Sequence, residues 1–248
     1  MMEDYGKKTI AELIEENHQF AFLMHFYGMS FVHFPDGTFG DLCKQYGYDP
    51  QVLIERFKAV QTIEDPSPDQ LQTLPLDLVL EYLRHQHYTY IKQRLPYLAA
   101  IIKDLPEDIV IGAEEIQLIF PFFMEDFIHH MYEEEDTLFR HIQTMTQALD
   151  NNWGLWELHL LLEQTSVNAL ALKHTMEDDD MEGIRQLTLN YAVNADTPLA
   201  LRVVFLELKA MEKDLKVHAR IENEILFPKA MQLEQALRDR MRALFRLN

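Results

Sequence analysis

Apolar residues recur at helical spacing from the start of the chain. Ile10, Leu13 and Ile14 begin the pattern, and Phe20, Leu23 and Met24 continue it. Phe34-Pro35-Asp36-Gly37 reads as a turn. Thr38 follows as an N-cap with Asp41 in a capping-box position, and Asp49-Pro50 opens the next helix. Residues 61–73 lose the periodicity to two prolines and a polar run, and read as a linker. Four long helix-like stretches come next. They cover Pro75 to Ile102, Ala113 to Leu149, the segment after Asn151-Asn152-Trp153-Gly154 up to Asn190, and Thr197-Pro198 to Met231 or beyond. Long helices with short connections predict an antiparallel bundle. The pattern therefore gives an all-α chain, with a small helical domain over 1–60, a linker over 61–73 and a four-helix bundle over 74–248.

Composition agrees with this and narrows the function. Of the 248 residues, 48% are hydrophobic and only 8 are glycine, so a sizeable helical core can be buried. The formal charge of -19, from 22 Lys+Arg against 41 Asp+Glu, opposes binding to phosphate backbones or anionic membranes. Nucleic acid and membrane are set aside as partners on that ground. Cys43 is the one cysteine, which precludes an internal disulfide and suits a reducing cytosol. The first residues lack a basic segment followed by an apolar one, so a cytoplasmic location is expected. The densest apolar run, Ile109 to Met124, is interrupted by Glu114, Glu115, Gln117 and Pro121. The oligomeric state is open, a homodimer included.

Two segments carry chemistry. His130-Met131-Tyr132-Glu133-Glu134 lies on the second long stretch and His218-Ala219-Arg220-Ile221-Glu222 on the fourth. A His and a Glu four apart share one helical face. One such pair in an acidic helical protein is usually a surface ion pair. Two copies, each trailed by an apolar tail (Leu138-Phe139 and Ile225-Leu226-Phe227-Pro228), point instead to a carboxylate- and histidine-ligated metal site in the bundle core.

The same residues resemble a known family. His130-Met131, Glu134-Glu135 and Leu138-Phe139 form one motif, and Asp214-Leu215, His218, Glu222-Asn223 and Ile225-Leu226-Phe227-Pro228 form a longer one. Both are similar to motifs of the hemerythrin-like di-iron proteins that repair iron–sulfur clusters after nitrosative or oxidative stress. The leading segment also resembles that family, through Thr9-Ile10, Glu12-Leu13, Tyr27-Gly28-Met29-Ser30-Phe31, Thr38, Leu42-Cys43 and Tyr48-Asp49-Pro50. The resemblance implies a pair of irons, with His130 and His218 as terminal ligands and Glu134 and Glu222 bridging. It further implies NO or O₂ as small ligands and iron–sulfur proteins as partners.

Departures from the family pattern are specific. Val32 and His33 stand where the family carries a Cys-Cys pair. On the first bundle helix, counting back without a gap from Leu95-Pro96 puts Tyr88 at the ligand place, with His87 beside it. One residue turns a helix by about 100°, so only one of the two can face the site, and a local bulge would make it His87. On the third, Asp179 stands at the histidine place within Asp178-Asp179-Asp180-Met181-Glu182-Gly183. Tyrosine and aspartate ligands would favour harder ions, manganese among them. These departures leave two other readings open, a non-catalytic sensing module with a degenerate or single-metal site and a manganese/iron carboxylate oxidase. The rest of the acidic runs, Glu133, Glu135, Asp136, Asp178 and Asp180, read as solvated faces or helix ends. His85, His129, His141, His159 and His174 read as structural or exposed. Cys43 reads as a small buried residue.

Overall fold

The computed structural model describes residues 5–32, 34, 36–61, 65–106, 113–176, 181–194 and 196–247. His33 and Asp179 lie outside the described residues. The fold is all-α: among the described residues the regular structure is helical, with a single isolated bridge between Thr9 and Thr38. In chain order the helices are α1 (Ile10–Glu16), α2 (Gln19–Phe26), α3 (Phe39–Gln45), α4 (Pro50–Gln61), α5 (Pro68–Thr73), α6 (Leu76–Thr89), α7 (Leu95–Lys103), α8 (Ala113–Glu134), α9 (Arg140–Asp150), α10 (Leu155–Gln164), α11 (Val167–Met176), α12 (Glu182–Leu187), α13 (Leu199–Ile221) and α14 (Phe227–Leu247). No described helix is long and apolar enough to cross a membrane.

The chain divides into two compact units. The first gathers Met1–Asp65, Gln93–Pro121 and Gly183–Glu212. Local sequence sets its helix starts. Thr9 accepts from the Glu12 amide while the Glu12 carboxylate accepts from the Thr9 amide, and Thr38 caps α3 through the Asp41 amide. Side chains from each part tie the unit together, including His18 to Glu207 at 2.7 Å and Arg202 to Glu15 at 2.8 Å. Cys43 is fully buried, and burial, with Asp49 nearby, pushes its thiol up to about 11.

The second unit gathers Pro66–Lys92, Phe122–Glu182 and Lys213–Asn248. Its core is built from Val79, Leu83, Phe139, Ile142, Leu158, Val167, Leu226 and their neighbours. Pairings fix its topology. Lys229 donates to the Leu74 carbonyl while His87 meets His218, so α6 runs antiparallel to the α13–α14 helix. His174 meets Glu222 while the Val167 amide donates to Glu234, so α11 also runs antiparallel to it.

The third stretch departs from the continuous helix that its periodicity predicts. It breaks between α10 and α11, where Thr165 is extended and Ser166 caps the next helix through its hydroxyl, which accepts from the Ala169 amide. A β-branched residue followed by a good N-cap favours a restart over continuation. Its far end turns left-handed at Leu189, Asn190 and Tyr191.

Three of the long helices contain one π-helical turn, at Tyr90–Arg94, Glu135–Phe139 and Glu222–Leu226. A π turn accommodates one extra residue and so rotates everything beyond it by about 100°. Each adjoins the side chains described next.

Candidate metal centre

Counting back from Leu95-Pro96 through the π turn at Tyr90–Arg94 brings His87, not Tyr88, to the inner face of α6. His87 is 0% exposed and Tyr88 is 56% exposed. This corrects the ungapped reading that placed Tyr88 at the ligand position: the extra residue shifts the face by one place.

His87, Glu134, His218 and Glu222 are all buried, and each offers one ligand-type atom such that these atoms lie within 4.8 Å of one another. The Nε2 atoms of His87 and His218 face each other at 3.2 Å. His87 Nε2 stands 3.6 Å from Glu134 Oε2, and His218 Nε2 stands 3.4 Å from Glu222 Oε1. On the other side of the carboxylates, His174 Nε2 lies 2.9 Å from Glu222 Oε2 and 3.0 Å from Glu134 Oε1. His130 is half-buried, with Nε2 3.7 Å from Glu134 Oε1. The structure thus brings together five residues that the sequence singles out (His87, His130, Glu134, His218, Glu222) and adds His174, which sequence reasoning had set aside.

His174 had a legible signal. Val167, Leu170, Ala171 and His174 follow the i, i+3, i+4, i+7 pattern of one helical face, and the three apolar members belong to the core or pack against it. The family resemblance instead puts the ligand place at Asp179, five residues further along the chain. Glu135 is only partly solvated: its side chain is 31% exposed, and its Oε1 accepts from His87 Nδ1 at 3.0 Å.

The charges in this core are held by one another. Burial works to lower the pKa of His174, yet its contacts with Glu134 and Glu222 outweigh burial and push it up to about 10. Burial opposes charge on His218 as well, and Glu222 overrides it, so that histidine is also raised. Burial would raise Glu222, but His218 and His174 keep it below the usual carboxylate range. Both Glu134 oxygens and Oε1 of Glu222 are buried and meet imidazole nitrogens at 3.0, 3.6 and 3.4 Å without hydrogen-bond geometry. A buried carboxylate left this way is costly unless a cation neutralises it. Imidazole nitrogens and carboxylate oxygens converging in a buried core form a donor set that fits iron, manganese or zinc-type ions.

Apolar groups close the surroundings. Phe139 stacks on His87 at 5.3 Å between centroids, Phe227 meets His174 edge-on at 5.4 Å, and Phe127 and Met131 are buried nearby on α8. A narrow opening of about 30 Å³ reaches His130, Glu134 and His174, with the ion-paired Lys173 and Glu133 at its rim. That volume admits a water-sized molecule.

The chain as a whole has distant relatives among known proteins. No protein-family model matches the chain. The chain is 23% identical over 195 residues to the iron-sulfur cluster repair protein YtfE of Yersinia pseudotuberculosis serotype IB (strain PB1/+), covering 75% of this chain and 79% of the relative. The same identity and coverage hold for the protein of that name from Yersinia pestis (strain Pestoides F). Both likenesses span most of the length on each side, and both are distant.

Proposed function

We propose that this chain is a hemerythrin-like protein holding two irons between α6, α8, α11 and α13, and that it acts in the repair of iron–sulfur centres under NO or oxidative stress. The observation that carries the metal reading is the buried His87–Glu134–His218–Glu222 group, whose carboxylate oxygens face imidazole nitrogens without hydrogen-bond geometry. The similarity to proteins named for iron–sulfur cluster repair supports the biological assignment.

The residues divide the work by position. His87 and His218 would hold one iron, and His174 with His130 the other. Glu134 and Glu222, each flanked by imidazoles on two sides, would span the pair. Bound iron supplies Lewis acidity and one-electron chemistry toward a small ligand such as NO or O₂. The aromatic groups exclude bulk water, and the opening beside His130 limits entry to small species. The approach of four histidines, His87, His130, His174 and His218, to the two carboxylates favours a full site over a degenerate or single-metal one, the reading motivated by the missing Cys-Cys pair and by Tyr88 and Asp179.

Anaerobic reconstitution followed by elemental analysis and an absorption spectrum tests this reading. The wild type is expected to take two irons per chain and, once oxidised, to show charge-transfer bands that His130→Ala weakens or loses. A preference for manganese in a metal titration would keep the site but replace the iron chemistry. Protein that takes up neither metal would overturn the proposal.

A further inference from the structure

The two most buried histidines are each held by a residue that immediately neighbours another member of the site. His218 Nδ1 lies 2.8 Å from Oε1 of Gln86, the residue before His87. His87 Nδ1 lies 3.0 Å from Oε1 of Glu135, the residue after Glu134. In each case the oxygen accepts a hydrogen bond from Nδ1–H, so that in the neutral imidazole the Nε2 lone pair is directed into the core. The Gln86 amide is held at both ends: its Nε2 donates to the Tyr82 hydroxyl at 2.8 Å and its oxygen faces His218. Glu135 and Phe139 begin and end the π turn Glu135–Phe139. One binds the His87 ring edge and the other stacks on its face.

We infer that Gln86 and Glu135 are positioning residues that set the tautomer of His218 and His87 and make the two imidazoles unequal donors to the metal. The inference rests on the metal reading above. A carboxylate accepting from Nδ1 makes an imidazole a stronger base than a neutral amide does. His87, held by Glu135, is therefore the stronger donor, and His218, held by Gln86, the weaker. The carboxylate partner favours the ferric state at His87.

The test loads wild type, Glu135→Ala, Glu135→Gln and Gln86→Leu with ferrous iron anaerobically. Affinity is measured by competition with a ferrous chelator, together with the absorption spectrum, the midpoint potential and the melting temperature. Glu135→Ala and Gln86→Leu are expected to bind iron about 10- to 100-fold more weakly. Glu135→Gln keeps an acceptor oxygen, so it recovers most of the affinity while its potential moves upward and its charge-transfer bands shift. A merely structural role would lower the melting temperature and leave potential and spectrum in place, which overturns the inference. If Glu135→Ala does not fold, an unchanged potential in Glu135→Gln overturns it equally. Loaded wild type with unaffected variants removes only the positioning role, whereas wild type that takes no iron removes the metal reading as well.

Discussion

The turns His130–Glu134 and His218–Glu222 share a spacing, a following π turn and a phenylalanine nine positions after the histidine. Their surroundings differ. His218 is 3% exposed and pinned through Nδ1 by Gln86, while His130 is half-buried at the edge of a small opening. The phenylalanines reach across the bundle in matching ways: Phe139 packs on His87 and Phe227 on His174. Each copy of the motif thus braces a histidine from another helix as well as contributing its own. One copy closes the inner end of the site and the other borders solvent.

Removing the inner carboxylate should have the largest effect. Glu222 is 1% exposed and contacts His174 and His218, two histidines whose charge it supports. Glu222→Ala in metal-free protein near pH 7 leaves those imidazoles without their partner, which costs about 3–5 kcal/mol. Urea denaturation reads that loss, and metal analysis of the same variant should show no bound pair. Glu134 is also buried but meets His174 and His87 without hydrogen-bond geometry, so Glu134→Ala is expected to cost less stability while still abolishing metal uptake. Equal stability losses would erase the distinction between the two turns.

Much of this was legible in the chain. The repeated His-x-x-x-Glu spacing placed three of the four buried side chains, Glu134, His218 and Glu222, with His130 at their edge, and the caps at Thr9 and Thr38 marked real helix starts. What the periodicity missed has a common physical origin. A π turn changes the helical count without a composition signal, so the choice between His87 and Tyr88 depended on an extra residue at Tyr90–Arg94 that the side chains do not announce. The break at Thr165-Ser166 likewise replaced one predicted helix by two, and the histidine on the inner face of the second, His174, was passed over for an acidic run downstream.

Proton linkage separates His174 from its partner Glu222 in a second, smaller way. The pKa of His174 is raised to about 10, above the ordinary value of 6.5. Its stabilising contribution to metal-free protein is fully present below pH 6.5 and is lost as pH climbs through about 10. Glu222 has the opposite sense: its pKa is lowered, so its contribution is present above the ordinary carboxylate range and fades in acid. A metal needs the neutral imidazole, so uptake near neutral pH displaces the His174 proton. Affinity should rise about tenfold from pH 7 to pH 8 for each proton displaced. Competition titrations with a chelator corrected for its own protonation, at those two pH values, measure the slope. A flat affinity would mean that His174 is not a ligand.

The smallest expected effect tests the register itself. Tyr88 is 56% exposed on the outer face of α6, one residue from a histidine that is wholly buried. Tyr88→Phe removes only an exposed hydroxyl, so stability should stay within about 0.5 kcal/mol and metal content should be unchanged. A ferric phenolate, by contrast, would give a visible charge-transfer band that this variant alone abolishes. Seeing such a band vanish would place Tyr88 inside the site and require α6 to rotate by about 100°. That rotation would carry His87 away from Glu135, Phe139 and His218 together. Three separate contacts on the His87 ring therefore stand behind the prediction that Tyr88→Phe changes nothing in the spectrum.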